Sequence, residues 1–245
     1  MKTNVENQLN RINKNYIPDH VGIIMDGNRR WAIQRKISHR EGHIQGVKVA
    51  LSTILTVKEL GVKTLTLFVF STENWQRPIQ EVKSLMSLFR LYMWKMRKEL
   101  NNEKIRLHTI GDLSAFPISL QKIIINTKNL TKNNKDFNLI LAINYGGRDE
   151  IRRAVIKLLK THQKNPIDVE QFTEKDFASY LDTADWKDPD LLIRTSGEKR
   201  ISNFLLWQIS YTELYISDRL WPDFTKKDLI KAILEYQQRI RRLGG

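Results

Sequence analysis

The sequence predicts an α/β protein built on a single open, mostly parallel sheet with helices on both faces. Two observations support this class: short continuous apolar runs rich in branched and aromatic residues, and longer amphipathic segments that alternate with them. Such runs are typical of strands buried on both faces, and the segments between them have the length of crossover helices. The chain has no Pro/Gly/Ser-rich linker and no internal repeat, which indicates one domain.

The first two strands and the helix between them are the clearest elements. Val21 to Met25 and Leu65 to Phe70 are apolar runs that stop at polar turn residues. Between them, apolar residues recur at helical spacing from Ile44 to Leu60 and end at Gly61, a favourable residue just beyond a helix. These segments predict a β-α-β unit.

The alternation continues to the C-terminus. Predicted helices span residues 79–100, 117–130, 149–159, 173–181 and 226–242, and predicted strands span 105–110, 139–143, 190–194 and 214–217. Residues 1–16 are polar and Asn-rich, which indicates a flexible N-terminal arm before one domain at 17–245. No apolar run is long enough to span a membrane, so any membrane contact is expected to be peripheral.

The charge of the chain restricts the class of partner. Lys and Arg number 41 against 27 Asp and Glu, a formal net charge of +14. Nucleic acid, an acidic membrane surface or a phosphorylated small molecule would each satisfy this excess, and part of it also fits a solvated basic face. The lack of cysteine excludes a disulfide framework, a thiolate nucleophile and Cys-ligated zinc, and agrees with a cytoplasmic location.

In open parallel sheets, ligands bind beyond the carboxyl ends of the strands, so the residues after each strand are the candidates for function. The first strand is followed by Asp26, Gly27, Asn28, Arg29, Arg30 and Trp31. Backbone N–H groups of a Gly-containing turn and guanidinium groups bind phosphate oxygens, and a carboxylate is a ligand for Mg²⁺. This segment predicts a turn that holds a diphosphate and its metal. Taken alone, it also fits an ordinary Asp-Gly turn with solvated arginines.

Two further clusters follow later strands. Ser71 to Pro78 carries hydroxyls, an amide and a guanidinium, and it also suits a capped helix start. Arg194 to Phe204 contains two arginines and two serines on either side of Gly197, which predicts a second anion cradle. Glu213, just before the next strand, is a candidate second carboxylate for a shared metal.

Several common catalytic signatures are absent from the sequence. There is no G-x-x-x-x-G-K-[ST] loop, no G-x-G-x-x-G after the first strand, no H-E-x-x-H and no G-x-S-x-G. Nucleotide hydrolysis and dinucleotide redox chemistry therefore lack their usual motifs.

Five segments in this order together resemble the undecaprenyl diphosphate synthases of the cis-prenyltransferase family. They are residues 25–28, 70–75, 144–148, 194–204 and 220–224, and the resemblance runs from about His20 to Gly245. It implies that 17–245 is a cis-prenyltransferase catalytic domain. It also implies condensation of farnesyl diphosphate with successive isopentenyl diphosphates, giving undecaprenyl diphosphate for peptidoglycan and cell-wall polysaccharide synthesis.

The resemblance assigns a role to each matching position. Asp26 is the expected catalytic carboxylate, Asn74 the expected proton acceptor, and Asp26 and Glu213 the expected ligands of a Mg²⁺ cofactor. An amide is a poor base, so a relay through Ser71 or the diphosphate is chemically easier. The expected substrate-binding residues are Gly27, Asn28, Arg29, Arg30, Trp31, His39, His43, Ser71, Thr72, Glu73, Trp75, Arg77, Arg194, Arg200, Ile201 and Ser202.

Three positions depart from the family's pattern. Arg29 stands where bacterial members usually have glycine, so it either narrows the turn or adds a phosphate contact. His39 replaces an arginine, and either the neighbouring Arg40 reaches the phosphate or that contact is lost. Lys199 replaces a histidine that contacts the metal in some members, and a protonated lysine cannot bind Mg²⁺.

A hydrophobic product tunnel is expected from the same resemblance. The apolar residues of segment 79–100 cover more than one face, which suits a core helix that also walls the tunnel. Val69 and Ile143 correspond to lining positions and Phe137 lies near the expected floor. All three are bulkier than in typical members, which predicts that shorter products accumulate beside undecaprenyl diphosphate.

The expected partners are a second copy of the chain and the inner face of the membrane, where product is released. The R-x-G pattern of Arg242 to Gly244 matches one that reaches the partner's active site in this family. A basic nucleic-acid-binding protein is the alternative of another class. The chain lacks a recognisable nucleic-acid motif and its arginines follow strands, so no nucleic-acid partner is expected. A non-catalytic subunit is a second alternative, against which Asp26 and Asn74 argue.

Overall fold

The computed structural model describes residues 2–239, with side chains from residue 6 onward. In this part of the chain the strands are β1 (His20–Ile24), β2 (Thr64–Ser71), β3 (Ile105–Ile110), β4 (Phe137–Tyr145), β5 (Leu191–Arg194) and β6 (Glu213–Ile216). They form one sheet of order β3-β4-β2-β1-β5-β6, in which all neighbouring strands are parallel. The predicted α/β class with a single parallel sheet is confirmed.

Helices connect these strands. Within residues 2–239 the α-helices are α1 (Lys2–Leu9), α2 (Asn28–Gln34), α3 (His39–Glu59), α4 (Ile79–Asn102), α5 (Ile118–Thr131), α6 (Gly147–Lys164), α7 (Glu174–Ala178) and α8 (Lys226–Gln238). Short 3₁₀ turns lie at Lys14–Tyr16, Thr72–Gln76 and Trp221–Asp223. None of the helices in the described residues is both long and apolar enough to cross a bilayer.

Two helices near the first strand differ from their predictions. The segment predicted as a turn after β1 is only partly a turn, because α2 begins at Asn28. Helix α3 begins at His39 instead of near Ile44, since Ser38 and Glu41 form a capping box in which each side chain accepts the other's backbone N–H. The capping box places His39 and His43 one turn apart on the same helix.

The two ends of the chain meet at α8. Helix α1 packs against α8, and Gln237 Nε2 donates hydrogen bonds to the carbonyls of Asn13 and Tyr16, each at 2.7 Å. The division into a flexible arm at 1–16 and a domain at 17–245 stays a prediction. Helix α8 ends at Gln238, so the rest of the helix predicted to residue 242 and the R-x-G pattern at 242–244 lie outside the described residues.

Both faces of the sheet are covered by apolar side chains. The hydrophobic core consists of a larger and a smaller cluster of buried residues. Alternate residues of β4 belong to different clusters: Leu139 and Leu141 to the larger one, Ile140 and Ala142 to the smaller one. All four are buried, which explains why the strands read as continuous apolar runs. Because all strands are parallel, the segments after β1, β2 and β5 reach the same edge of the sheet.

Candidate active site

A cavity of about 390 Å³ lies between the sheet and helices α3 and α4. Its apolar wall includes Val47, Ile54, Leu67, Leu85, Phe89, Met93 and Met96. Its polar lining comes mostly from segments after strands: Asp26, Asn28, His43, Ser71, Asn74, Arg77, Arg194 and Ser202. A second cavity of about 380 Å³ shares several of these residues and adds Gly27, Arg29 and Arg30. Most residues expected to bind substrate are therefore brought together.

The backbone of Asp26 is held by two other segments. The Thr195 hydroxyl accepts from the Asp26 N–H at 2.9 Å and donates to the Asp26 carbonyl at 2.7 Å. The Trp221 N–H donates to the same carbonyl at 2.9 Å, and the Trp221 indole donates to the Gly46 carbonyl in α3 at 2.8 Å. Gly27 follows with φ 111°, where a Cβ atom would lie 2.9 Å from Leu220 Cδ2.

The carboxylate of Asp26 contacts two guanidinium groups. Arg194 Nη2 lies 2.9 Å from Asp26 Oδ2, and Arg30 Nη2 lies 3.2 Å from the same oxygen. Burial favours the neutral acid, but the hydrogen bond from Arg194 and the charge of Arg30 outweigh it and hold the pKa of Asp26 below its usual range. Asp26 is therefore ionised at neutral pH.

Arg194 is the centre of the second cradle. Its side chain is only 4% exposed, and Nη1 donates to Ser202 Oγ at 2.8 Å and to the Arg200 carbonyl. Its Nε is buried without a partner in the described residues. A buried guanidinium with a free donor is a strong binding point for a phosphate oxygen.

Glu198 links the two cradles, a contact that the sequence analysis missed. Its carboxylate accepts from Arg30 Nη1 at 2.8 Å and also pairs with Arg200. Arg30 in addition donates to Ser196 Oγ at 2.5 Å. Arg200 itself does not line either cavity and points to the partly exposed Glu198.

His43 is a neutral side chain in this site. Burial, followed by the positive charge of Arg77, lowers the pKa of His43 to about 4. Its Nε2 atom is buried and has no partner in the described residues. Arg77 pairs with Glu81 at 3.0 Å, and Arg29 approaches the same carboxylate at 3.6 Å. Arg29, which stands where the family usually has glycine, therefore adds both an ion pair and a cation at the second cavity.

Asn74 and Ser71 both line the larger cavity. Asn74 Oδ1 accepts a hydrogen bond from the Ser71 backbone N–H at 3.1 Å. Because an amide is a weak base and this oxygen already has a donor, Asn74 is better placed to orient a substrate than to take its proton.

Several expected site residues lie outside both cavity linings: Trp31, His39, Thr72, Glu73, Trp75, Arg200, Ile201 and Glu213. The Trp31 indole donates to Asp223 Oδ1 at 2.8 Å, and the Trp75 indole donates to Asn144 Oδ1 at 2.8 Å. Of the residues expected along the tunnel, Val69 lines the cavity. Ile143 and Phe137 do not line it, and both are buried in the larger core cluster.

Asn203 is a second residue that the sequence analysis missed. Its backbone φ angle is 62°, which is uncommon for residues other than glycine. Its carbonyl accepts from the Gly147 N–H at 2.7 Å, its Oδ1 accepts from the Arg148 N–H at 2.9 Å, and its Nδ2 donates to Glu73 Oε1 at 2.8 Å. Asn203 therefore ties the loop containing Ser202 to α6 and to the segment after β2.

Within one chain, the structure does not bring together Asp26 and Glu213, the two expected metal ligands. Glu213 is the first residue of β6 and lies opposite Leu191, the first residue of β5, whereas Asp26 follows the last residue of β1. Glu213 is therefore at the amino edge of the sheet, where it pairs with Arg239 at 2.7 Å. Among the described residues, no group of three or more His, Asp or Glu side chains is arranged to hold a metal.

The chain is similar over nearly its whole length to known prenyltransferases. A family model for undecaprenyl diphosphate synthases matches residues 24–244. An isoprenyl transferase of Prochlorococcus marinus is 46% identical over 245 residues, which are 100% of this chain and 90% of the relative. A Micrococcus luteus protein named ditrans,polycis-undecaprenyl-diphosphate synthase, (2E,6E)-farnesyl-diphosphate specific, is 44% identical over 236 residues, 96% of this chain and 95% of the relative.

A solved structure shares the fold. The crystal structure of lavandulyl diphosphate synthase from Lavandula x intermedia, in complex with dimethylallyl diphosphate, matches with a TM-score of 0.92. Its identity is 37%, and the match covers 94% of this chain and 100% of that chain. By its sequence, its fold and its clustered site residues, this chain belongs to the undecaprenyl diphosphate synthase family of cis-prenyltransferases.

Proposed function

We propose that this prenyltransferase condenses farnesyl diphosphate with successive isopentenyl diphosphates to give undecaprenyl diphosphate, the lipid carrier precursor for peptidoglycan and cell-wall polysaccharides. The observation that carries the proposal is a pair of arginine-rich cradles around one ionised carboxylate, beside an apolar cavity. Two diphosphate groups require two cradles, and a growing hydrocarbon requires apolar walls. The name of the Micrococcus luteus relative supports the choice of substrate and product.

The side chains suit the charge that develops in this reaction. Breaking the allylic C–O bond places positive charge on carbon and negative charge on the departing diphosphate. Arg30 and Arg77, with the neutral ring of His43, are positioned to stabilise the diphosphate, while Arg194 and Ser202 hold isopentenyl diphosphate. The proton lost from isopentenyl diphosphate passes to a diphosphate oxygen, since Asn74 is a poor base.

A Mg²⁺ ion fits this site through Asp26. The carboxylate is ionised and faces the cavities, and Mg²⁺ commonly takes one or two carboxylates together with phosphate oxygens and water. When bound, the ion stabilises negative charge on the departing diphosphate. Both guanidinium groups contact Asp26 Oδ2, which leaves Oδ1 as the oxygen that would bind the metal.

A homodimer working at the inner face of the membrane completes the proposal. Strand β6 is at an open edge of the sheet. Exposed apolar side chains lie on β6, just before it and on α6: Leu214, Tyr211, Val155, Ile156 and Leu159. An edge strand presents unpaired backbone groups, and exposed apolar groups of this kind often mark a surface that binds another chain.

The test is incubation of the purified protein with farnesyl diphosphate, labelled isopentenyl diphosphate and Mg²⁺, followed by chain-length analysis. We expect undecaprenyl diphosphate as the longest major product. Transfer that stops at short products would overturn the product assignment, and no transfer with any allylic diphosphate would overturn the activity.

A further inference from the structure

Helix α4 presents two different sides. The side toward the sheet lines the apolar cavity with Leu85, Met86, Phe89, Tyr92, Met93 and Met96. The opposite side is exposed and carries, at spacings of three or four residues, Lys83, Ser87, Arg90, Leu91, Trp94, Lys95, Lys98 and Glu99. We call this exposed side the α4 outer face.

The apolar residues of the α4 outer face are large and open to solvent. Trp94 is 52% exposed and Leu91 is 41% exposed. Arg97 lies over one face of the Trp94 ring, 4.7 Å from its centroid. An exposed tryptophan beside an exposed leucine and a guanidinium is typical of a surface that meets the interface of a bilayer.

The cations of this helix are not neutralised by carboxylates of the described residues. In the part of the chain that the structure describes, no carboxylate lies within ion-pair distance of Lys83, Arg90, Lys95, Arg97 or Lys98. Helix α6 is also basic, but three of its cations are paired. There Arg152 and Arg153 pair with Asp149, and Lys157 pairs with Asp182. On the α4 outer face four cations, Lys83, Arg90, Lys95 and Lys98, outnumber the single carboxylate Glu99, so this face keeps a net positive charge for an external anion.

We propose that the α4 outer face docks on a bilayer surface that contains anionic lipids. Basic side chains attract the headgroups, while Trp94 and Leu91 enter the interface. Single-stranded nucleic acid fits less well, because Arg97 already covers one face of the Trp94 ring and Leu91 offers nothing to a base or a phosphate.

The proposal rests on the proposed function for its purpose, since it gives the hydrocarbon product a short route to lipid. A single helix with its side chains is about 10 Å across, so docking through α4 leaves only this helix between the cavity and the bilayer. The docking proposal also makes the proposed membrane contact more specific, because it names the protein surface that binds and the charge of the lipid.

The test is flotation of the full chain with phosphatidylcholine vesicles, with and without phosphatidylglycerol. We expect binding only when phosphatidylglycerol is present. The double variant Lys95→Gln/Lys98→Gln should lose about 25-fold in vesicle affinity, because each lysine near the surface contributes about five-fold. Trp94→Ala should lose about ten-fold.

A matched control lies on α8, where Lys227 and Lys231 are exposed and one turn apart. Lys227→Gln/Lys231→Gln removes the same net charge and should change vesicle affinity less than about two-fold. Equal losses in the two double variants would overturn the proposal, since net charge alone would then explain binding. So would equal binding to vesicles without phosphatidylglycerol, or binding to single-stranded RNA but not to vesicles.

Prenyl transfer without vesicles separates this proposal from the proposed function. The α4 variants should keep normal transfer of isopentenyl units in detergent, because the α4 outer face does not line the cavity. Loss of transfer in Trp94→Ala with unchanged vesicle binding would overturn the docking role. Absence of transfer in the unaltered chain would count against the proposed function, and the flotation result would still decide the docking surface.

Discussion

The candidate active site and the buried cluster around Glu150 are both polar, but they satisfy their polar atoms differently. The Glu150 carboxyl group makes contacts with the Tyr145 hydroxyl at 2.5 Å, with Gln208 Nε2 at 3.0 Å and with the Asp182 N–H at 3.0 Å. Asp182 in turn pairs with Arg153 at 2.6 Å. Gln208 Oε1 is left without a partner among the described residues, but the carboxyl group itself is fully surrounded.

The active site has more atoms without partners. Asn28 Oδ1, His43 Nε2 and Arg194 Nε are all buried and have no partner in the described residues. Buried polar atoms are nearly always hydrogen-bonded in proteins, so a group of exceptions around one cavity marks that cavity as a candidate binding site. The Glu150 cluster, by contrast, uses its hydrogen bonds to hold the fold.

Burial raises the pKa of both Glu150 and Asp26, but the net shifts have opposite signs. Burial raises the pKa of Glu150, and its hydrogen bonds do not reverse that shift. At Asp26, Arg194 and Arg30 reverse it and keep the pKa low. The two side chains therefore differ in their environment: burial shifts Glu150 toward its neutral form in the core, while Asp26 stays charged between two guanidinium groups.

The largest expected effect is on Asp26→Asn, which keeps the shape of the side chain and removes its charge. Prenyl transfer should fall about 10³-fold, because the leaving diphosphate loses its charged metal ligand. The free energy of unfolding should change by only about 1 kcal/mol. Steady-state kinetics and urea unfolding check both values, with the exposed Asp168→Asn as control. Near-normal turnover in folded Asp26→Asn would remove Asp26 from the mechanism.

Glu150→Ala should show the opposite pattern. We expect a loss of about 3 kcal/mol in unfolding free energy, since Tyr145, Gln208 and the Asp182 N–H lose their shared partner. Transfer per folded molecule should stay nearly normal. The exposed Glu170→Ala is the control for stability. A variant that is stable but inactive would place Glu150 in the reaction instead.

Because the pKa of Glu150 is raised, the contribution of this residue to the free energy of unfolding depends on pH. A carboxyl group whose pKa is higher in the folded state binds protons more readily there than in the unfolded chain. Its contribution to stability is therefore complete below its unfolded pKa, near 4.5, and is lost as the pH rises through the folded pKa. Urea unfolding over this range should show the trend in the unaltered chain and not in Glu150→Ala.

Most of the fold could be predicted from the sequence because its signals are local. Buried strands read as apolar runs, helices read as amphipathic segments, and the end of α3 is indicated by Gly61. The start of α3 was also available locally, since Ser38 and Glu41 have the spacing of a capping box. The prediction missed it because it relied on apolar spacing, which begins only at Ile44.

The candidate site was predicted less completely because its contacts join distant segments. Glu198 reaches Arg30, and Asn203 reaches Glu73, over more than a hundred residues of chain. No local pattern reports such pairs. The position of Glu213, in contrast, could have been predicted. In a parallel sheet, residues that begin strands lie at one edge and residues that follow strands lie at the opposite edge. Strand direction alone therefore argued against placing it beside Asp26 in one chain.

A substitution at Asn203 tests whether this residue positions the loop that contains Ser202. Its expected effect is smaller than those at Asp26 and Glu150. Asn203→Asp keeps the acceptor for the Arg148 N–H but sets a carboxylate against Glu73, which should push the Ser202 loop away. We expect about a ten-fold increase in KM for isopentenyl diphosphate with little change in kcat. Adding Glu73→Gln supplies an amide donor to the introduced carboxylate and should restore KM. If the double variant is no better than Asn203→Asp, Asn203 does not act through Glu73.

The smallest expected effect concerns product length, and it separates the cavity lining from the core behind it. Val69 lines the cavity, so Val69→Ala lengthens the space open to the growing chain, and each added CH₂-sized group gains about 0.8 kcal/mol on burial. We expect the mean product length to rise by about one isoprene unit or less. Ile143 is fully buried outside the lining, so Ile143→Ala should leave product length unchanged and lower stability by about 3 kcal/mol. Mass spectrometry of the products and urea unfolding distinguish the two. A longer product from Ile143→Ala would mean that the tunnel extends past the cavity into this part of the core.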